Sequence, residues 1–199
     1  MFIELTDHLR CPVDHDEQFL VLLPGEMSGR MVREGELGCP VCGRTYRIEA
    51  GVLRAAAGTP PPPPPAQPGL GADALAAFLG LGGPGGYLVL VGTPGGLWQE
   101  LLALIPGVGP VLVNPPDATP DEYPVSIVRS DRVPLKSRSM RGVVLGAEVA
   151  DDAWWRAEAA RVVLPGLRVV GAGATAPDDP RLDLLASTAG AWVAAVRSG

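Results

Sequence analysis

Cysteine and histidine are absent from residues 43–199 of this 199-residue chain. That absence excludes a thiolate nucleophile and an imidazole general base from most of the protein. No run of 18 or more apolar residues occurs, so no membrane-spanning helix is expected. The first residues, MFIELTDHLR, lack a basic segment followed by an apolar one, so the expectation is a cytoplasmic protein without a secretory leader. Positive charge is also scarce. Sixteen Lys and Arg face 22 Asp and Glu, for a net charge of −6, and non-specific nucleic-acid binding, which needs cations to neutralise phosphates, is not expected. The local basic set Arg129, Arg132, Lys136, Arg138 and Arg141 reads as solvated loop and strand ends.

All three cysteines (Cys11, Cys39, Cys42) and both histidines (His8, His15) precede residue 43. An odd count in a chain expected in a reducing compartment points to a metal site or free thiols rather than a disulfide framework. Composition then divides the chain. Residues 1–55 form a small β-rich segment, 56–70 a linker with six consecutive prolines (Pro60–Pro65), and 71–199 a larger region. The proline run favours a stiff polyproline II spacer of about 3 Å per residue.

In the first segment, FLVLLP and TYRIEAGVL read as short strands, with GEMSGRMVREGEL a polar connection between them. In the third, ADALAAFLGL has helical spacing with Asp73 placed to cap it. YLVLVG, GPVLVNPP, VSIVRS, RGVVLGAEV and LRVVGAG are apolar runs bounded by turn residues. GLWQELLALI and DDAWWRAEAARVV are helical in period; the second opens on Asp151 and Asp152, carries Arg161 near its end and is expected to stop at Pro165-Gly166. The chain closes with two strands around Thr188-Ala189-Gly190. Apolar strands alternating with helices predict an α/β fold whose mainly parallel sheet is covered on both faces, with an antiparallel hairpin at one edge. Of the adjacent Trp154 and Trp155, one is expected to face outward, because neighbours on a helix cannot enter the same core equally.

Cys39-Pro-Val-Cys42-Gly43 has the spacing of a knuckle in which two thiolates grip one metal ion. Cys11 offers a third ligand. Directly after Val13, at the spacing of Cys39 and Cys42, a fourth cysteine would complete a tetrahedral site. Asp14 and His15 stand there instead, Asp14 with the better spacing and His15 with the better zinc chemistry; His8 is more distant.

The stretch LTDHLRCPVD…LGCPVCGRTYRIEAGVL resembles the small zinc-ribbon proteins that activate and stabilise tRNA and translation-factor methyltransferases. The resemblance implies a protein-binding module without catalytic residues, with Cys11, His15, Cys39 and Cys42 as the zinc ligands in place of the family's four cysteines. Residues 70–199 resemble class I S-adenosylmethionine-dependent methyltransferases through IVRSDRVPLKSRSMRGVVLGAEV and EAARVVLPGLRVVGAGA. That family's first loop carries an acid, which fixes the cofactor's amino group, followed by G-x-G-x-G. Here the frame reads Leu90-Val91-Gly92-Thr93-Pro94-Gly95-Gly96, with leucine for the acid and proline for the middle glycine. The family's acid at the end of the second strand is matched by Asn114. The residue that contacts the adenine amino group is matched by Asp131.

The resemblance therefore implies a shortened, degenerate methyltransferase-like region, Rossmann-like in fold. In it Gly92, Gly96, Asn114 and Asp131 would line any S-adenosylmethionine pocket. Two functions follow as expectations: a binding protein that partners or regulates an enzyme, perforce through a protein interface, or an active methyltransferase with unusual contacts.

Overall fold

The computed structural model describes residues 1–56, 69–117, 124–173 and 175–198. The chain begins with a 3₁₀ turn, Ile3–His8, followed by strands β1 (Val21–Ser28), β2 (Met31–Gly38), β3 (Thr45–Glu49) and β4 (Val52–Arg54). Then come helix α1 (Ala72–Leu79), β5 (Tyr87–Val91), a second 3₁₀ turn (Thr93–Leu97), α2 (Trp98–Leu104), β6 (Gly109–Val113), β7 (Ser126–Arg129) and β8 (Met140–Leu145). Helix α3 (Ala153–Val162) leads into β9 (Val163–Gly171), and β10 (Leu182–Thr188) and β11 (Ala191–Val196) form the closing hairpin. The proline run lies outside the described residues, as does 118–123, part of the connection from β6 to β7.

Among the described residues eleven strands share one mixed sheet, in the order β1-β2-β3-β4-β7-β6-β5-β8-β9-β11-β10. Its centre, β4-β7-β6-β5-β8-β9, is parallel. Antiparallel pairs flank it on both sides, β1-β2-β3-β4 on one and β9-β11-β10 on the other. The strands β7-β6-β5-β8-β9 follow the doubly wound order, in which the chain runs outward from β5 in one direction and then restarts beside β5 in the other.

Period-two side-chain alternation sorts each buried strand onto two cores. Leu88, Leu90, Leu112, Val144 and Val170 point to one face, where Leu75 and Leu79 of α1 and Trp98 and Leu101 of α2 cover them. Val89, Val91, Val111, Val113, Val143, Leu145 and Val169 point to the other. On that second face α3 contributes Trp155 and Ala159, and the connection from β7 to β8 contains no helix. The N-terminal segment takes up the uncovered area: Leu5 and Leu9, both fully buried, belong to the same core. Residue 9 bridges to residue 135 of the helix-free connection. On either side, Arg10 N–H donates to the Pro134 carbonyl (3.0 Å) and Lys136 N–H to the His8 carbonyl (2.8 Å).

Residues 1–55 also join the sheet edge. Val52, Leu53 and Arg54 pair in parallel with Ile127, Val128 and Arg129. The ladder runs on as Ala55 N–H donates to Arg129 O (2.9 Å), and the buried Ser130 hydroxyl donates to Ala55 O (2.8 Å). A charged cluster closes the far side. Arg161 of α3 holds Glu158 through two bonds of 2.7 Å and donates to the carbonyls of Val133 and Leu135. Glu17 accepts from the Ser137 amide (3.0 Å) and hydroxyl (2.6 Å).

Three local expectations are corrected. The stretch GEMSGRMVREGEL is a hairpin rather than a connection: it closes β1 and supplies β2, because ladder hydrogen bonds need no apolar side chains and its charged residues face water. Asp73 makes no cap bond, and α1 starts from Gly71 instead. Helix α3 ends at Val162, before Pro165-Gly166, which lie within β9. The register between β8 and β9 shifts between Met140 and Gly142, where β9 carries the extra residues. The N-terminus of α3 is capped by Asp152, whose carboxylate accepts from the amides of Trp154 (2.7 Å) and Trp155 (3.4 Å).

Because one core runs through both parts of the chain, Leu9→Ala is expected to lower global stability by about 3 kcal/mol. All four tryptophans lie at or beyond residue 98. Urea unfolding followed by tryptophan fluorescence should therefore show the full shift, coincident with the far-ultraviolet transition. A fluorescence transition unmoved by the substitution would mean that residues 1–55 unfold separately.

Candidate functional site

Two places carry recognisable chemistry, the cysteine cluster and the carboxyl ends of the parallel strands. At the first, the turn between β2 and β3 is tight: Gly43 N–H donates to Cys39 O and Cys39 N–H to Arg44 O, both at 2.9 Å, with Gly43 at φ +70°. This turn sets Cys39 and Cys42 side by side. The bend after Cys11 brings His15 in from the other strand of chain.

The Sγ atoms of Cys11, Cys39 and Cys42 and a ring nitrogen of His15 all lie within 4.8 Å of one another. Cys11 Sγ is 3.7 Å from Cys42 Sγ, and Cys39 Sγ is 3.5 Å from His15 Nε2. A tetrahedral ion with metal–sulfur bonds of about 2.3 Å and metal–nitrogen bonds of about 2.0 Å needs ligand separations of about 3.5–3.8 Å. Those two separations match that geometry, and the four residues could hold a metal ion.

The surroundings suit that task. His15 Nδ1 is 2.7 Å from the Asp16 carbonyl, which fixes the proton on Nδ1 and leaves the Nε2 lone pair facing Cys39. That same bond, first among several, raises the His15 pKa. The Arg44 backbone N–H holds the exposed Cys42 thiol down to about 7, whereas burial pushes Cys11 up. Tyr46 is buried with its hydroxyl 3.3 Å from Cys11 Sγ, a donor for a thiolate. Asp14 stays exposed and outside the cluster, and His8 packs edge-on against Tyr87 instead, with ring centroids 5.1 Å apart.

At the second place, the topology sets Gly92, Gly96, Asn114 and Asp131 beyond the carboxyl ends of three adjacent strands, β5, β6 and β7. The turn after β5 keeps its shape. Gly92 adopts φ +73°, ψ −135°, a conformation open in practice to glycine alone, and its N–H donates to Val113 O (2.8 Å). Pro94 and Gly95 are buried, the latter against Pro115, while Gly96 is exposed with open space about it. Leu90 is 0% exposed and belongs to the core beneath α2. Asn114 is buried at φ +50°, and both ends of its amide serve the neighbouring strand end: Nδ2 donates to Ser130 O (2.6 Å), and Oδ1 accepts from Ser130 N–H (3.0 Å). Asp131 follows directly, half-buried.

One residue of this site carries no signal in the sequence. Glu148, three positions beyond β8, folds its carboxylate onto the turn after β5, accepting the Thr93 N–H at 2.7 Å and the Thr93 hydroxyl at 3.1 Å. Nothing in Gly146-Ala147-Glu148 marks it, because the contact spans 55 residues and depends on β5 and β8 being neighbours. Of the tryptophans, Trp98, Trp155 and Trp192 are buried and Trp154 is 39% exposed.

No family model matches the chain, and no curated protein does. Solved structures do. One is a chain of the complex containing the Haloferax volcanii Trm112 methyltransferase activator, at TM-score 0.41 and 19% identity over 50% of this chain and 50% of that one. Another is the geranyl diphosphate C-methyltransferase of Streptomyces coelicolor A3(2), at TM-score 0.42 and 21% identity, with 51% and 44% covered. A third is the antibiotic-resistance methyltransferase Kmr, at TM-score 0.46 and 14% identity, with 69% and 98% covered. The chain thus spans about half the length of the Haloferax chain that it matches.

At Gly92 an added Cβ would fall 1.4 Å from Glu148 Oε1. Gly92→Ala is expected to cost about 2 kcal/mol, from backbone strain and from displacing that carboxylate. In a double-mutant cycle the pair Gly92→Ala, Glu148→Ala should lose less than the sum of the singles, measured by urea denaturation. Additive losses would show that the two residues do not meet.

Proposed function

We propose that this chain is a non-catalytic binding protein, in which a zinc-bearing N-terminal module, residues 1–55, is built in cis into a degenerate methyltransferase-like region, residues 71–199. The observation that carries the reading is Leu90. The position where the resembled family fixes its cofactor's amino group holds a leucine sunk in the core beneath α2. No adjustment of its rotamer delivers a carboxylate there. Asn114, matched to the ribose-binding acid, spends its amide on Ser130. Of the three polar contacts that the resembled family gives S-adenosylmethionine, Asp131 alone keeps its acid.

The module's own role follows from the β4–β7 ladder. A strand paired within its own chain is not free to pair with another protein, so the module's last strand stabilises this sheet rather than that of an enzyme elsewhere. A protein partner, a methyltransferase among the candidates, would be met on other surfaces. The outer strand β1 supports this: it lies at the sheet edge with Val21 56% and Leu23 64% exposed, and Phe19 is exposed just ahead of it. Zinc is the ion that suits three thiolates and an imidazole at these separations.

Thermal melting with S-adenosylmethionine tests the central claim. A ligand at a hundred times its dissociation constant adds about 2.7 kcal/mol, a rise of several degrees; no rise is expected here. A clear rise would restore the methyltransferase reading.

Metal analysis tests the module. One zinc per chain is expected, and Tyr46→Phe should weaken zinc binding about tenfold or more against a chromophoric chelator. Equal affinity in the two proteins would remove Tyr46 from the site.

A further inference from the structure

In open parallel sheets ligands lie outside the carboxyl ends of the strands, at the point where the strand order reverses. In this sheet that point falls between β5 and β8. Glu148 reaches across it from the β8 side. Its carboxylate rests on the Gly92 backbone so closely that an added Cβ would nearly coincide with Oε1, and it holds both hydrogen-bonding groups of Thr93. On its own rim it also lies close to Gly146, where a Cβ would sit 2.6 Å from each carboxylate oxygen. Two glycines, one on each side of the switch point, thus make room for one carboxylate. Glu148 is exposed and lies in the turn between β8 and α3, and among the described residues Thr93 supplies its hydrogen bonds.

We propose that Glu148 is an autoinhibitory latch, an internal carboxylate that occupies the switch-point crevice and excludes small ligands that carry a carboxylate of their own. This rests on the reading above, that the native chain does not take up the cofactor, and adds a steric and electrostatic barrier to the contacts weakened at Leu90 and Asn114. A ligand entering over Gly92 must break two hydrogen bonds to an ionised group and bring its own negative charge against Glu148 or expel it. Two such bonds at an exposed site set the latch at about tenfold to a hundredfold in affinity.

The test is calorimetric titration of the full-length chain, Glu148→Ala and Glu148→Gln with S-adenosylmethionine as the probe, alongside hydrogen exchange at the Thr93 amide. The latch predicts binding to Glu148→Ala at least about tenfold tighter than to the native chain. Glu148→Gln should fall between, keeping an acceptor for Thr93 but losing the charge. The Thr93 amide should exchange faster in Glu148→Ala, and an unchanged rate would overturn the proposal by showing that the contact is not made. Binding to neither protein overturns the latch and leaves the non-catalytic reading standing. Equal binding to both overturns latch and reading together. Binding to the native chain that is lost in Glu148→Ala would make Glu148 a ligand-holding acid, and would overturn both as well.

Discussion

The parallel pairing of Val52–Arg54 with Ile127–Arg129 is the contact on which the rest of this structure depends. It is only three residues long, yet it gives β7 a neighbour on its outer side and so removes a bare edge from the parallel sheet. It also fixes where the N-terminal segment lies. With β4 in register, the 3₁₀ turn Ile3–His8 falls over the face that the helix-free connection between β7 and β8 leaves uncovered, and Leu5 and Leu9 complete that core. A parallel sheet needs both faces dry. Here one of its covers comes from a segment that would otherwise read as a separate small domain.

The same economy shapes the metal cluster. A segment of 55 residues has little core of its own, and small domains of this kind are commonly stapled by a metal or by disulfides. The ion would tie the bend after Cys11 to the turn between β2 and β3, while the charged set Arg10, Glu17, Glu158 and Arg161 and the β4 ladder tie the segment to the larger sheet. Glu17, two residues past His15, grips Ser137, so the bend that carries His15 is anchored from both sides.

At the carboxyl ends of the strands, the backbone turn and the side chains around it can be considered apart. Gly92 keeps a backbone conformation that few residues other than glycine adopt, and the strand–turn–helix geometry around it is intact. The side chains beside that turn point inward or toward one another. Leu90 faces the core, Asn114 holds Ser130, and the space over Gly92 belongs to Glu148. The conformation at Gly92 is stabilised by its place between β6 and β8, through Gly92 N–H to Val113 O and Gly146 N–H to Val91 O. Both bonds are made by the chain's own backbone.

Local pattern in the sequence determined most strand and helix runs of the larger region, the closing hairpin, and the candidate ligands Cys11, Cys39 and Cys42 with Asp14 or His15 as the fourth. Apolar period, capping Asp152 and knuckle spacing are all properties of neighbouring residues. Pattern failed where a ladder overrode composition: charged β2 became a strand because its partners β1 and β3 supply hydrogen bonds that side-chain polarity does not reveal. Tertiary structure alone decided the rest. The choice of His15 over Asp14 rests on the turn that carries it to Cys39. The union of β4 with β7 and the reach of Glu148 to Thr93 join residues 55 or more positions apart. Such contacts are fixed by the order of strands in a sheet, which no local run of residues encodes.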